Sequence, residues 1–194
     1  MKLCGLTGGV GMGKSTAAGF LLAAGARVVD TDDLAHELVQ PGQPALAEIA
    51  AVFGNHLLAP DGGLRRGELA KIVFADPAAR QKLEGILHPR IRAGWRAQAE
   101  AWRRENCPVG VVVIPLLFET QAEGCFDKII CVACSPDSQR ARLAARGWTP
   151  EQIRQRIAAQ MPVEQKLARS HFVVWSEGLP EVSQRQLGEI LGKI

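Results

Sequence analysis

Residues Gly8-Gly9-Val10-Gly11-Met12-Gly13-Lys14-Ser15 follow directly on a short strand-like run, Leu3 to Thr7, and satisfy the spacing G-x-x-x-x-G-K-[ST]. In a loop of this kind the glycines let backbone N–H groups curl around phosphate oxygens. The lysine reaches the β- and γ-phosphates, and the Ser15 hydroxyl ligates Mg²⁺. A helical pattern begins at once (Ser15 to Ala24, with Ala17, Ala18, Phe20, Leu21 and Leu22) and adds the positive end of its dipole. Strand, glycine-rich turn and helix in this order restrict the opening of the chain to a phosphate-binding βα unit. The expectation is a protein that binds a nucleoside triphosphate.

The 194 residues suffice for one domain, or for one domain with an inserted subdomain. A formal charge of +3 is too small to imply a nucleic-acid partner. Met1-Lys2 runs straight into the nucleotide motif, and the longest apolar run, Val109 to Phe118, is too short to span a bilayer. A cytoplasmic enzyme with no membrane and no obligate protein partner is therefore expected. The cysteines (Cys4, Cys107, Cys125, Cys131, Cys134) are irregularly spaced, and Cys131-x-x-Cys134 lacks a second pair for zinc. They are read as buried, reduced thiols.

Short apolar runs rich in Val and Ile fall at Leu3–Thr7, Ala26–Val29, Val109–Ile114, Lys128–Ala133 and His171–Trp175. Helical patterns alternate with them at Ser15–Ala24, Asp33–Val39, Pro44–Phe53, Gly67–Phe74, Ala78–Asn106, Ser138–Ala145, Pro150–Gln160 and Pro180–Leu191. The pattern predicts a three-layer α/β fold, a five-stranded parallel sheet with right-handed crossovers. About eighty residues separate the second and third strands, more than one crossover helix needs. The expected organisation is a core of residues 1–32, 107–137 and 161–194, a helical acceptor subdomain at about 33–106, and a helical lid at about 138–160.

The sequence lacks N-K-x-D and D-x-x-G, which argues against a guanine-specific switch, and lacks L-S-G-G-Q. A small-molecule phosphotransferase is the best reading, with a non-catalytic nucleotide sensor as the alternative. Asp30-Thr31-Asp32-Asp33 falls at the carboxyl end of the second strand. Asp30 and Asp32 share a side while the chain stays extended, so Asp32 can orient an acceptor hydroxyl and take its proton. The same tetrapeptide can also cap the following helix. The third strand ends without an acid, so Mg²⁺ would rely on Ser15, phosphates, water and either Asp32 or Glu119. Arg142 and Arg146 are four apart on one helix face and can fork onto phosphate oxygens. His88-Pro89 by itself reads as a histidine beside a helix break.

Joined together, L-T-G-G-V-G-M-G-K-S-T (Leu6–Thr16), V-D-T-D (Val29–Asp32), F-G and a later D-G (Phe53-Gly54, Asp61-Gly62), H-P-R-I (His88–Ile91), P-L-L-F-E (Pro115–Glu119), Q-x-x-R-x-x-x-R (Gln139, Arg142, Arg146) and R-I-A-A-Q (Arg156–Gln160) resemble the dephospho-CoA kinase family nearly end to end. The resemblance implies transfer of the γ-phosphoryl of ATP to the ribose 3′-hydroxyl of dephospho-CoA, the last step of coenzyme A biosynthesis. It implies Asp32 as general base, with Lys14 and Arg142 stabilising the transferring group and Arg146 assisting. Gly11, Met12, Gly13, Lys14, Ser15 and Thr16 would bind ATP. Thr7, His88, Ile91, Leu116, Leu117 and Glu119 would form or support the acceptor pocket with Asp32. Departures from the family pattern are Met12 for the usual Ser, Val113 where many members carry Asp, Ser170-His171 for Ala-Asp, and Ser176-Glu177-Gly178 for N-x-G.

Overall fold

The computed structural model describes residues 1–194. Five strands, β1 (Lys2–Gly8), β2 (Arg27–Asp30), β3 (Val109–Val113), β4 (Lys128–Ala133) and β5 (Phe172–Trp175), form one sheet in the order β2-β3-β1-β4-β5. Every pairing in it is parallel. Helices α1 (Lys14–Ala23), α2 (Thr31–Leu38), α3 (Pro44–Phe53), α4 (Arg66–Ala75), α5 (Pro77–Arg104), α6 (Pro136–Ala145), α7 (Pro150–Ala158), α8 (Val163–Ala168) and α9 (Pro180–Leu191) connect and flank the strands. The chain divides into two compact units, Met1–Asp30 with Ala99–Ile194, and Thr31–Gln98.

In the first unit the central strands are apolar on both faces, as a covered parallel sheet demands. Cys4, Leu6, Val111, Val113, Ile130, Val132 and Val174 meet Ala17 and Leu21 of α1 and Leu187 and Ile190 of α9 in one core. The register sets Leu6 against Val113 and Ile130, and Gly8 against Val132. At Gly8 (φ 146°) a Cβ would lie 2.2 Å from the Val132 carbonyl oxygen, so β1 and β4 meet only if residue 8 has no side chain. β5 is an outer strand, and the backbone of Trp175 is covered by the Gln186 amide of α9. The Trp175 N–H donates to Oε1 at 2.9 Å, and Nε2 donates to the Trp175 carbonyl at 3.1 Å.

The second unit has its own core, Val39, Ala45, Ile49, Leu57, Leu69 and Ile86, closed by Leu38, Phe53, Leu83 and Leu87. An antiparallel bridge between Leu58 and Leu64 spans a turn in which Asp61 Oδ1 accepts the Gly63 N–H at 2.9 Å.

Four local features differ from the sequence reading. α2 starts at Thr31, immediately after β2, so the chain is no longer extended at Asp32 and the shared side of Asp30 and Asp32 is not realised. α5 runs unbroken through Pro89. Proline removes the N–H that would bond the carbonyl four residues earlier and crowds that turn. That carbonyl is Gly85's, on an exposed turn where water can serve it, and next to it the Arg90 guanidinium donates to the Ile86 carbonyl at 2.6 Å and to Glu48 of α3 at 2.6 Å. α6 begins at Pro136, because Ser135 caps it by accepting the Ser138 N–H and Pro136 is pre-set for the first turn. The short α8, which carries no long amphipathic repeat, was not anticipated.

Gly8→Ala should lower unfolding free energy by on the order of 2–4 kcal/mol, because backbone rather than a side-chain tip must give way. Urea unfolding of the variant against the parent checks this.

Candidate active site

The loop from Gly9 to Gly13 joins β1 to α1 on the carboxyl edge of the sheet. Gly13 is the N-cap of α1 with φ 94°, and no side chain caps the helix, so its first N–H groups face outward as donors for an anion. The loop carbonyls are engaged elsewhere. Lys14 arches back and its Nζ donates to the Gly8 and Gly9 carbonyls at 3.0 and 2.9 Å. Gln139 Nε2 donates to the Val10 carbonyl at 2.7 Å, and Ser176 Oγ donates to the Met12 carbonyl at 2.7 Å. The Val10 N–H donates to Gln160 Oε1 at 2.9 Å. With these carbonyls and the Val10 and Met12 N–H groups occupied, the remaining N–H groups of the loop and of the start of α1 shape the hollow.

Met12 contributes backbone only. Its side chain is 2% exposed and packs on Ala133, Cys134, Val163 and Leu167, which explains why a thioether is accommodated in the loop. Beside the loop lies a cavity of about 360 Å³ lined by Gly11, Gly13, Thr16, Arg142, Arg146 and Ser176, with Val132, Val174 and Pro180 among its apolar walls. Arg142 stands in the last turn of α6 and Arg146 is its C-cap, so both expected cations reach one cavity with the loop. The Arg142 guanidinium donates Nη1 to Ser176 Oγ at 3.0 Å and Nη2 to the Ser176 carbonyl.

The Ser176-Glu177-Gly178 segment, unassigned from sequence, turns out to border this cavity through Ser176 and Gly178. Glu177 accepts from the Ser135 N–H and hydroxyl and from Trp175 Nε1, tying the exit of β5 to the start of α6. Hydrogen bonds from Ser135 and Ser138 hold its carboxyl down at about 2. The roles of Gln139, Gln160 and Ser176 on the loop backbone are likewise not evident from the sequence. Gln139 and Gln160 were visible only as letters of family motifs, since the sequence does not reveal which backbone atom an amide will grip.

The P-L-L-F-E corner after β3 is held by a buried cation. Lys166 of α8, with no exposed side-chain surface, pairs with Glu119 Oε1 at 2.8 Å and donates to the Pro115 carbonyl at 2.8 Å. Thr7 Oγ1 donates to the same carbonyl at 3.3 Å, and Glu119 Oε1 also accepts the Met161 N–H at 2.9 Å. Thr7 and Leu117 are fully enclosed, so they can support a pocket wall without touching a ligand, while Leu116 is half-buried. Glu119 Oε2 has no protein partner and could accept from a bound molecule. Its neutralisation by Lys166 makes Glu119 a poor second ligand for Mg²⁺.

Asp32, His88 and Ile91 belong to the second unit. Asp32 stands with Asp33 in the first turn of α2, two residues past Asp30, whose register partner on β3 is Val113. His88 is exposed and Ile91 half-buried, three apart on one side of α5. No group of three His, Cys, Asp or Glu side chains forms a metal cage. No cysteine is in a disulfide, and burial pushes the Cys4 and Cys131 thiols up to about 11, which leaves them protonated and inert at neutral pH. No helix is long and apolar enough to cross a membrane.

A family model described as dephospho-CoA kinase matches residues 2–181. The chain belongs to the dephospho-CoA kinase family. A dephospho-CoA kinase of Anaeromyxobacter dehalogenans is 44% identical over 195 residues, covering 100% of this chain and 92% of that one. A crystal structure of a Thermus thermophilus protein superposes with TM-score 0.85 at 34% identity, covering 100% of this chain and 97% of that one. A dephospho-CoA kinase from Campylobacter jejuni shares the fold, with TM-score 0.73 at 24% identity over 98% of this chain and 96% of that one. Among the dephospho-CoA kinase motifs, those of the phosphate loop and α6 thus meet around a single cavity.

Lys166→Met should cost on the order of 3 kcal/mol, since it leaves the Glu119 carboxylate without its cation, on the Met161 N–H alone, and the Pro115 carbonyl with only the longer Thr7 bond. Replacing both partners, Lys166→Met with Glu119→Leu, should recover part of the loss in a denaturant titration.

Proposed function

We propose that this chain transfers the γ-phosphoryl group of ATP to the ribose 3′-hydroxyl of dephospho-CoA, producing coenzyme A and ADP. The observation that carries the reading is an intact phosphate loop sharing its cavity with Arg142 and Arg146, in a chain matched over residues 2–181 by the family of that activity. ATP is the phosphoryl donor and a small molecule the acceptor.

The uncapped start of α1 and the loop N–H groups receive the phosphates of ATP. Lys14, now spent on the Gly8 and Gly9 carbonyls, has an ammonium with three donors and can turn toward the β- and γ-oxygens when they arrive. Arg142 and Arg146 supply planar donors for the charge that spreads over the transferring group, which is where such cations lower the barrier most. Asp32 accepts the proton of the acceptor hydroxyl as the new P–O bond forms, and ADP leaves with the other oxygen. The start of α2 supports this placement, because it follows β2 without a linker and β2 ends on the same edge of the sheet as β1.

The chemistry of the donor set suits Mg²⁺. That ion takes few protein ligands beside phosphates and water, and Ser15, in the first turn of α1, offers the hydroxyl. When bound it neutralises phosphate charge. The Thr31–Gln98 unit, with His88, Ile91 and Asp32, serves as the acceptor subdomain, and α6 with α7 serves as the cover over the nucleotide that excludes water. The cytoplasm, where ATP and thiol-bearing acceptors are available, is the proposed compartment.

The test is ADP release from purified protein with Mg·ATP, comparing dephospho-CoA with AMP, CMP and adenosine. Stimulation by dephospho-CoA alone, with coenzyme A identified by mass, is the expected result; stimulation by a nucleoside monophosphate would sink it. Asp32→Asn should leave ATP affinity near that of the parent while turnover falls at least about a hundredfold. Near-normal turnover in that variant would remove Asp32 from the mechanism.

A further inference from the structure

Two glutamine side chains from opposite ends of the α6–α7 excursion close on the two peptides that flank Val10 in the phosphate loop. Gln139 lies in the first turns of α6 and Gln160 two residues past the end of α7. Gln160 Oε1 accepts the Val10 N–H at 2.9 Å, and Gln139 Nε2 donates to the Val10 carbonyl at 2.7 Å. The backbone partners fix both amide orientations, since an N–H requires an oxygen and a carbonyl requires a donor. Gln139 is 5% exposed, and its amide nitrogen lies close against Gly9.

We propose that Gln139 and Gln160 are positioning residues that hold the two peptides flanking Val10, Gln139 turning the Val10 carbonyl out of the phosphate hollow and Gln160 fixing the Gly9–Val10 peptide by its N–H, and so keep the loop in its anion-accepting form. The reasoning starts from the glycine content of the loop. Gly8, Gly9, Gly11 and Gly13 surround Val10, and glycine-flanked peptides have little intrinsic preference against flipping. A flipped peptide would aim an acceptor where phosphate oxygens must sit. Gly8 and Gly9 are held by Lys14, and Met12 by Ser176, but Lys14 is also the side chain the phosphates recruit. Once Lys14 turns to the nucleotide, the glutamine pair, Ser176 and the Met12 N–H on the Gly9 carbonyl are what still holds the loop. The same bonds anchor both feet of the α6–α7 pair on the loop, so the cover hinges from the element that senses the nucleotide.

This inference rests on the nucleotide-binding reading proposed above, and its test is binding of Mg·ATP to the full chain by calorimetry with no acceptor present. Gln139→Met and Gln160→Met keep side-chain length and remove one bond each. Each should weaken ATP about tenfold. The double variant should lose less than the product of the two singles, because the two restrained peptides share the Val10 Cα and turn together. The decisive contrast is between Gln160→Glu and Gln139→Glu. Both place the same charge beside Val10, but glutamate at 160 can still accept the Val10 N–H, whereas at 139 it meets a carbonyl without a donor. Gln160→Glu should therefore bind ATP at least about fivefold more tightly than Gln139→Glu, a difference that mere space-filling would not produce.

Met variants within twofold of the parent, or equal affinities for the two Glu variants, would overturn the proposal. Should the nearly buried Gln139 variants misfold, weakening in Gln160→Met with recovery in Gln160→Glu supports it, and no change in Gln160→Met overturns it. A parent chain that fails to bind ATP would instead remove the nucleotide reading and this inference together.

Discussion

The binding end of this molecule depends on where four loop carbonyls point. A phosphate site made of backbone must offer N–H groups and hide the acceptors covalently attached to them. Here Lys14 takes the carbonyls of Gly8 and Gly9, Gln139 that of Val10, and Ser176 that of Met12. These donors come from α1, α6 and the segment after β5, elements far apart in sequence. The loop motif is local, but its conformation is a property of the whole first unit. The covered parallel sheet matters to function because it delivers those elements to one edge.

Charge follows the same logic. Arg142 is anchored on Ser176, and Ser176 on the loop, so the cation beside the cavity is placed by a chain of bonds rather than by a flexible stem. A guanidinium held in this way loses less freedom when it engages an oxyanion. On the other side of the sheet edge, Lys166 and Glu119 use their charges internally, fastening the corner after β3 to the segment that follows α7. A buried pair of this kind adds little net stability, but removing one partner is costly, which suits a position that must not drift.

Much of this was legible beforehand, and the reasons are physical. Continuous Val- and Ile-rich runs can only be strands covered on both faces, and the bounds of β4, α3 and α9 fall where the pattern put them. Motif order singles out the phosphate loop and Arg142 with Arg146, and the structure sets them around one cavity. The errors cluster where a side chain decides the backbone. Pro89 reads as a break until α5 is seen to run through it, with the orphaned Gly85 carbonyl on an exposed turn. Asp32 reads as extended until α2 is seen to start at Thr31. The grips of Gln139, Gln160 and Ser176 join residues more than a hundred positions apart, and no local pattern announces them.

The Gln186 amide on Trp175 bears on how the molecule behaves in a crowd. β5 is a short apolar strand at the rim of the sheet, with Val173 and Trp175 each more than two-fifths exposed at 44% and 43%. Such a rim is a template on which another chain could add a strand. By occupying both hydrogen-bonding groups of Trp175, Gln186 closes the end of that template from within. An aromatic can thus remain at the surface while the backbone beneath it is denied to neighbours, and solubility at this edge rests on one helix-borne amide.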